Sequence, residues 1–298
     1  MPRPLTTAAD LTGDLAPDTA LRRIVAACRA DLVRYRAVVL SGTRPIGVHQ
    51  TRVALRRLRA AVSLFKHTGD AELRAISAEA KRIAGELAPA RDLHVFLKET
   101  VPDAEAPIPR IGRRLASDRR ARARAALSGA RYESFEARLA AFAACTSPAA
   151  TPPAGDQTLR PFGADALALR HDKVAKAGHR IDHLDAAALH KLRIAVKKLR
   201  YAAIFLRPVF ALPGFDKKAA SAYIEAAARL QGALGALNDR AVAAQIIADI
   251  AQAARPSEKA QKPLERLAKK LKAGTKRDRT RVARAWKAFR KTGPFWRL

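Results

Sequence analysis

The sequence predicts an all-α protein, and three features of its composition and pattern indicate this class. Glycine (15) and proline (17) are sparse in a chain of 298 residues, whereas alanine, leucine and arginine, which favour helices, are abundant. Apolar residues make up 49% of the chain, which is enough to bury a core. Apolar residues repeat at helical spacing, and no segment shows the alternation that is typical of a strand.

The predicted helices fall into two groups separated by TSPAATPPAGDQT, residues 146–158. Small residues and prolines do not continue a helix, so this segment is predicted to be a linker. Pro45, Pro107 and Pro161 lie at or just before predicted helix starts, where a missing N–H costs little. The pattern predicts helices near 18–41, 46–68, 71–88, 92–100, 108–128 and 131–145, and then near 162–181, 185–210, 216–235, 239–254, 257–273 and 275–291.

Two pairs of similar segments occur in the same order on either side of the linker. VHQTRVALRRLRAAVSLFK (48–66) resembles LHKLRIAVKKLRYAAIFLR (189–207), and AKRIAGELAPARDL (80–93) resembles AARLQGALGALNDR (227–240). The pairs predict that the chain is an internal duplication of one helical unit. The resulting division is a flexible N-terminus (1–17), a first helical unit (18–145), a linker (146–160), a second helical unit (161–291) and a C-terminal tail (292–298).

Asp92 and Asp239 occupy equivalent places in the second pair of segments, and each precedes an apolar stretch. Because an aspartate at a helix start accepts hydrogen bonds from the free N–H groups of the first turn, both residues are predicted to be N-caps.

The net charge of +30 is the strongest indication of function in the composition. Like charges repel in a compact chain, so a surplus of this size indicates that a polyanion binds. The cations concentrate on one side of the two predicted helices that carry the first repeated segment. The first stripe contains His49, Arg52, Arg56, Arg59 and Lys66, and the second contains His190, Arg193, Lys197, Arg200 and Arg207.

The opposite faces of these helices are apolar and are predicted to be buried. They carry Leu55, Leu58, Val62 and Phe65 in the first helix, and Val196, Leu199, Ala203 and Leu206 in the second. No acid occurs in residues 48–69 or 186–215, although helix surfaces usually mix the two signs of charge. A solvated face is the alternative to an anion site. In an anion site, a neutral histidine would donate to a phosphate oxygen and gain charge on binding.

Other chemistry is less well supported by the sequence. The dipeptide His171–Asp172 and the pair His179 and His183 are weak candidates for metal ligands, because further ligands are missing or cations lie beside them. No phosphate loop, nucleophile elbow or carboxylate pair occurs, so neither an enzyme activity nor a metal or cofactor is predicted. The basic segment 259–291 either touches an anionic membrane or, as we prefer, adds its polar face to the site.

The compartment is predicted to be the cytoplasm. Cys28 and Cys145 form no disulfide or ligand pattern, no apolar run is long enough to cross a membrane, and the N-terminus lacks the apolar core of a signal peptide.

Four segments together resemble the CHAD family, the conserved-histidine α-helical domain: VHQTRVALRRLRAAVSLF, LAPARDLHVFL, LHKLRIAVKKLRYAAIFL and LGALNDRAVA. The similarity covers roughly residues 18–291. It departs from the family pattern at His94, where an acid is usual, and at Arg240, where an apolar residue is usual. Some relatives carry a triphosphate-tunnel enzyme domain, which this sequence does not contain.

The resemblance implies two pseudo-symmetric antiparallel helical bundles around a basic central cavity or pore that binds inorganic polyphosphate, often at polyphosphate granules. By position, the lining would use both stripes, together with Arg82 and Arg229. Arg57 and Lys198 also match the motif but point away from the stripes. Other polyanions, phosphate or sulfate are secondary partners, and the oligomeric state does not follow from the sequence.

Nucleic acid is the alternative partner, bound without sequence specificity through the basic surface. A pI near 11.3 suits either polymer, but aromatic residues make up only 5% of the chain and none lies on the stripes at base-stacking intervals. The sequence therefore favours polyphosphate.

Overall fold

A computed structural model describes residues 11–42, 45–65, 71–101, 107–144, 157–211, 216–254 and 259–296. Over these residues the secondary structure is helical, and no strand occurs among them, so the predicted all-α class is confirmed. The helices are α1 (Pro17–Leu40), α2 (Ile46–Leu64), α3 (Ala71–Glu86), α4 (Ala88–Val95), α5 (Ile108–Ser128), α6 (Ala130–Ala144), α7 (Leu159–Ala177), α8 (Ala186–Leu206), α9 (Lys217–Ala253), α10 (Gln261–Ala273) and α11 (Thr275–Arg290). A π-helical turn follows α4 (Phe96–Thr100), and short 3-10 helices precede and follow α8 (Ile181–His183 and Arg207–Phe210).

The two predicted helix starts at aspartate are wrong. Asp92 lies inside α4, whose N-cap is Leu87, and Asp239 lies inside α9, which runs unbroken for 37 residues. The repeats differ here because Pro89 occupies the first turn of α4, whereas Ala236 stands at the equivalent position of α9. Proline removes an N–H and clashes with the preceding turn. The helix is therefore interrupted between α3 and α4 in the first half, whereas α9 continues without interruption in the second.

The main hydrophobic core extends across both halves of the chain. The predicted apolar faces of α2 and α8 are buried in it, including Leu58 and Leu199, which are fully inaccessible to solvent. Phe65 at the end of α2 stacks on Phe162 of α7, with ring centroids 5.3 Å apart. A smaller second core joins α4 and α5 to the C-terminal part of α9 and to α10. The apolar packing thus holds α2 and α8 side by side and turns their basic faces to the same side of the core.

Both described ends of the chain are packed against the helices. Leu11 and Leu15 are buried, and the backbone N–H of Leu159 donates to the carbonyl of Leu15 at 2.8 Å. Residues 11–16 therefore differ from the expected flexible N-terminus, while residues 1–10 lie outside the described part. Phe295 and Trp296 are likewise buried, so this part of the predicted tail belongs to the core.

The amphipathic helices α10 and α11 use their apolar faces within the protein. Leu264 of α10 and Trp286 of α11 are buried, and α11 packs against α9 and the 3-10 helix Ile181–His183. Asp278 is buried and paired with Arg240. Of the residues that the structure describes, none forms a helix both long and apolar enough to span a membrane.

Candidate functional site

The basic faces of α2 and α8 meet where the two halves of the chain pack together. The Nε atom of Arg56 on α2 donates a hydrogen bond to the hydroxyl of Tyr201 on α8, at 3.1 Å. Tyr201 itself is buried at the edge of the core. This contact links the two stripes, whose residues lie more than one hundred positions apart in the sequence.

Seven side chains form what we call the cation cluster. Each of them interacts electrostatically with at least one other member, so that the charge of one shifts the pKa of the other. The cluster consists of His49, Arg52, Arg56, Arg59, Arg91, Arg193 and Lys197.

Lys197 lies at the centre of these electrostatic interactions. Its side chain is half-buried, and burial lowers the pKa of its amine, as do Arg193, Arg56, Arg59 and Lys198. The resulting pKa is about 8, compared with an ordinary value of 10.5. A bound anion would stabilise the charged form of this amine, because the anion offsets the repulsion between the cations.

His49 is the histidine that belongs to the cluster. Partial burial lowers its pKa below 6.5, and Arg91, Arg56 and Arg52 lower it further. His49 is therefore neutral at pH 7 in the unbound protein, and it would become easier to protonate beside a bound anion. His190, its counterpart in the second matched segment, is exposed in the second turn of α8, and its side chain makes no hydrogen bond or ion pair with any residue of the described ranges.

Three arginines of the predicted stripes carry buried nitrogen atoms without a hydrogen-bond partner among the described residues: the Nε atoms of Arg59, Arg193 and Arg200. A buried donor without an acceptor costs about 1–3 kcal/mol. Burial also lowers the pKa of Arg59 and of Arg193. These guanidinium groups are therefore neither fully solvated nor fully hydrogen-bonded. Rotation of the side chains onto a bound anion would supply the missing acceptors and remove the cost of the buried donors.

Two carboxylates lie at the edge of the cluster, one on α4 and one on α9. Asp92 raises the pKa of Arg52 and Arg193, and Asp239 raises the pKa of Arg193, in each case against the larger effect of burial. Arg91 contacts Asp92 at 3.2 Å. Together with Glu99, these residues line a small cavity of about 80 Å³. The residues predicted as helix caps thus mark the edge of the basic site.

Arg91 is the member of the cluster that the sequence analysis missed. It acts on His49, Arg52 and Arg193 from the short helix α4. Comparison of the repeats conceals it, because the equivalent position in the second repeat is Asn238. The sequence feature that could have identified Arg91 is its position directly before Asp92 in the segment LAPARDLHVFL.

Several other predicted site residues have acidic partners. Arg57 is buried and pairs with the fully buried Asp31 at 3.2 Å, so it contributes to the core of the first half. Arg82 pairs with Glu79 at 2.6 Å, and that pairing raises the pKa of Arg82.

The remaining predicted residues are more exposed. Arg229 lies 3.5 Å from Glu225 with both side chains largely in solvent. Lys198 and Arg207 are exposed, and Lys66 lies outside the described residues. The structure thus brings together part of the predicted set and disperses the rest.

The histidines that were considered as metal ligands lie elsewhere. Nδ1 of His171 is 2.8 Å from the hydroxyl of Tyr223, and the ring packs near Phe289 and Trp296. His179 and His183 are exposed. Within the described ranges, no three side chains of histidine, cysteine, aspartate or glutamate lie together as a metal site.

The fold and the paired basic helices define a class of all-α proteins with a repeated histidine–arginine motif. A model of the CHAD domain matches residues 23–248, and the chain belongs to that family. It is similar to the crystal structure of the CHAD domain from the plant Ricinus communis, with 26% identity and a TM-score of 0.79, covering 98% of this chain and 97% of that chain.

A second similar structure is PptA from Streptomyces chartreusis, with 17% identity and a TM-score of 0.66, covering 92% of this chain and 99% of that chain. At this identity the likeness concerns the fold. No curated protein matches the sequence significantly.

Proposed function

We propose that this protein binds inorganic polyphosphate at the cation cluster and does not hydrolyse it. The observation that carries the proposal is the meeting of the two basic faces, where Arg56 of α2 donates to Tyr201 of α8. Four cations around the half-buried amine of Lys197 lower its pKa, in agreement with this geometry. A fold gains nothing from concentrating charges of one sign in a partly desolvated place, unless a ligand of opposite charge compensates them. The association of the CHAD family with polyphosphate supports the same partner.

Polyphosphate suits the chemistry of the cluster. Its phosphates carry about one negative charge each and present only oxygen acceptors, so it requires donors and no stacking surface. Arginine offers a planar fork of donors, and lysine offers a mobile point charge. Tyr201 and Phe205, two buried aromatic side chains of α8, stack on each other within the protein. The cluster is therefore better equipped for a bare phosphate chain than for nucleic-acid bases.

Both halves of the chain contribute to the site. Arg56 and Arg59 come from α2, whereas Arg193 and Lys197 come from α8. A long anion can bridge the two helices and gain contacts that neither helix supplies alone. A role at polyphosphate granules in the cytoplasm is consistent with such binding and forms part of this proposal.

Competition between two polymers tests the proposal. Long-chain polyphosphate labelled at its end is bound to the full chain at several salt concentrations, and RNA of matched charge is added. We expect polyphosphate to displace RNA, RNA to displace polyphosphate poorly, and affinity to fall as salt rises because counterions are released on binding. Equal displacement in both directions would instead support binding of nucleic acid through the basic surface.

A separate assay tests the absence of hydrolysis. Phosphate release from polyphosphate is followed with added magnesium or manganese. We expect no release above the rate without protein, and a protein-dependent release would show that the site is catalytic.

A further inference from the structure

Lys197 differs chemically from the arginines around it. It carries a primary amine, which becomes a nucleophile when it loses its proton, whereas arginine stays protonated in proteins. The side chain is half-buried on α8, and no described residue forms a hydrogen bond or an ion pair with its amine. The amine is thus neither fully solvated nor held by a carboxylate.

The charged groups that act on this amine are cationic and come from two helices. Arg193 lies one turn before Lys197 on α8, and Arg56 of α2 donates to Tyr201, one turn after Lys197. Arg59 of α2 and Lys198 of α8 also act on the amine. Asp92 on α4 and Asp239 on α9 act on Arg193, one step further away. Burial and repulsion together lower the pKa of Lys197 to about 8, so that the unprotonated amine is present at neutral pH.

An anionic electrophile would be attracted to the same place. Forked arginine donors bind phosphate groups, and a small molecule that carries both a phosphate and a reactive carbonyl would be held with that carbonyl near the amine. Acyl phosphates have this combination of groups.

We propose that Lys197 is a site of spontaneous acylation by acyl phosphates. The inference rests on the proposed function in one respect, namely that the cation cluster binds phosphate groups. It assigns to the cluster a second class of ligand and a covalent modification.

The chemical step needs no further reactant. The unprotonated amine of Lys197 attacks the carbonyl carbon of the acyl phosphate and forms a carbon–nitrogen bond. The bond between that carbon and the phosphate oxygen breaks, and inorganic phosphate leaves with the electron pair. The surplus amine proton passes to the leaving phosphate or to water, and the product is an amide.

Acylation would change the proposed polyphosphate site. The amide carries no charge and cannot be protonated, so the cluster loses the cation that lies among four others. Arg56 and Arg193 are then no longer repelled by Lys197, but a phosphate chain loses one ionic contact. Modification would therefore weaken polyphosphate binding and link it to the supply of acyl phosphates.

Acetyl phosphate is the probe for the test. The full chain is incubated with it at pH 7.5, and acetylation of each lysine is followed over time by mass spectrometric peptide mapping. The exposed Lys191, six residues earlier on the same helix, is the internal reference. We expect Lys197 to react about tenfold faster than Lys191 or more, since a lower amine pKa increases the unprotonated fraction and the arginines concentrate the reagent.

Three controls separate directed acylation from simple reactivity. A neutral reagent, N-acetoxysuccinimide, should give Lys197 a smaller preference than acetyl phosphate does. Lys197→Arg should abolish the fast acetylation, whereas Lys191→Arg should leave it unchanged. Inorganic phosphate at high concentration should slow the reaction of Lys197 with acetyl phosphate.

The outcomes distinguish this inference from the proposed function. Acetylation of Lys197 by acetyl phosphate no faster than that of Lys191 would overturn the inference, even if polyphosphate binds tightly. Fast acetylation that long-chain polyphosphate fails to block would support the inference and would instead contradict polyphosphate binding at the cluster.

Discussion

The Nε atom of Arg56 and the hydroxyl oxygen of Tyr201 lie 3.1 Å apart, and their hydrogen bond joins the basic faces of the two halves. Arg56 also lies near Arg193 and Lys197, and it therefore contributes to the lowered pKa of both. The arginine therefore belongs to the site, while the tyrosine holds it in place from the edge of the core.

Tyr201→Phe removes the acceptor and keeps the ring. We expect it to lower the free energy of unfolding by about 1 kcal/mol, the usual net value of one hydrogen bond. Polyphosphate affinity should change by less than about twofold, since every charge remains. Denaturant unfolding and a binding titration check the two parts. A large loss of affinity with normal stability would mean that the hydroxyl contacts the ligand itself.

The buried pair Arg57–Asp31 is expected to serve stability. Arg57→Met should destabilise the protein by about 3–5 kcal/mol, because it leaves the Asp31 carboxylate buried without its cation. The double variant Arg57→Met with Asp31→Leu should recover much of that loss, since neither charge remains buried. Urea unfolding of both variants measures this. A double variant no more stable than the single one would show that the pair does more than neutralise two buried charges.

The glycines Gly85 and Gly232 are equivalent in the two repeats and lie inside α3 and α9. A Cβ atom on either would meet no atom within 4 Å. The preceding residues bond to the basic stripes: Ala84 accepts from Arg52, and Gln231 accepts from Arg200. Glycine in a helix costs about 1 kcal/mol relative to alanine, so its presence at both places suggests room for a ligand.

Alanine at both positions should therefore stabilise the protein and weaken binding. We expect each substitution to raise the free energy of unfolding by about 0.5–1 kcal/mol, and the double variant to bind polyphosphate several-fold more weakly. Gly129→Ala is the control, because Gly129 also faces open space but follows the end of α5. Unchanged affinity in the double variant would show that the ligand does not approach these helix faces.

The affinity for polyphosphate should depend on pH in two ranges. In the unbound protein, Lys197 loses its charge as the pH rises through its pKa of about 8, and a bound anion raises that pKa. Affinity should therefore fall as the pH rises from 8 towards 10. The pKa of His49 lies below 6.5 in the unbound protein and should also rise on binding, so affinity should increase as the pH falls below about 6.5.

Titrations at constant ionic strength measure this profile, and two variants assign its limbs. Lys197→Met should remove the alkaline fall, and His49→Gln should remove the acidic rise. An alkaline fall that persists in Lys197→Met would place the responsible group elsewhere.

The sequence predicted those parts of the site that depend on periodicity. Cations and apolar residues alternate on α2 and α8 at helical spacing, so the buried face, including Leu58 and Leu199, could be read directly and is confirmed. The caps at Asp92 and Asp239 were wrong because the same short motif follows a helix break in one repeat and lies within a continuous helix in the other. Proline at 89 and alanine at 236 account for this difference.

Partners distant in sequence could not be predicted from a helical wheel. Arg57 matches the repeated motif, but only the packing of α1 against α2 shows that Asp31 neutralises it. Arg91 was missed for the opposite reason, since the matched segment has asparagine at this position and Arg91 reaches the site from a third helix. The internal duplication itself and the shared central cavity remain predictions.

The most direct test of the account compares two variants that each lose four positive charges. One carries alanine at Arg52, Arg56, Arg193 and Lys197 in the cation cluster. The other carries alanine at Arg277, Arg281, Arg284 and Lys287, which are exposed on α11. Binding of long-chain polyphosphate is titrated for both variants and for the wild type at the same salt concentration, after circular dichroism has shown that all three are folded.

We predict that the cluster variant loses at least about 100-fold in affinity, corresponding to roughly 2.7 kcal/mol, whereas the α11 variant loses less than about fivefold. Equal losses in the two variants would contradict the account, because they would show that the protein binds polyphosphate through its overall charge and not at the paired faces of α2 and α8.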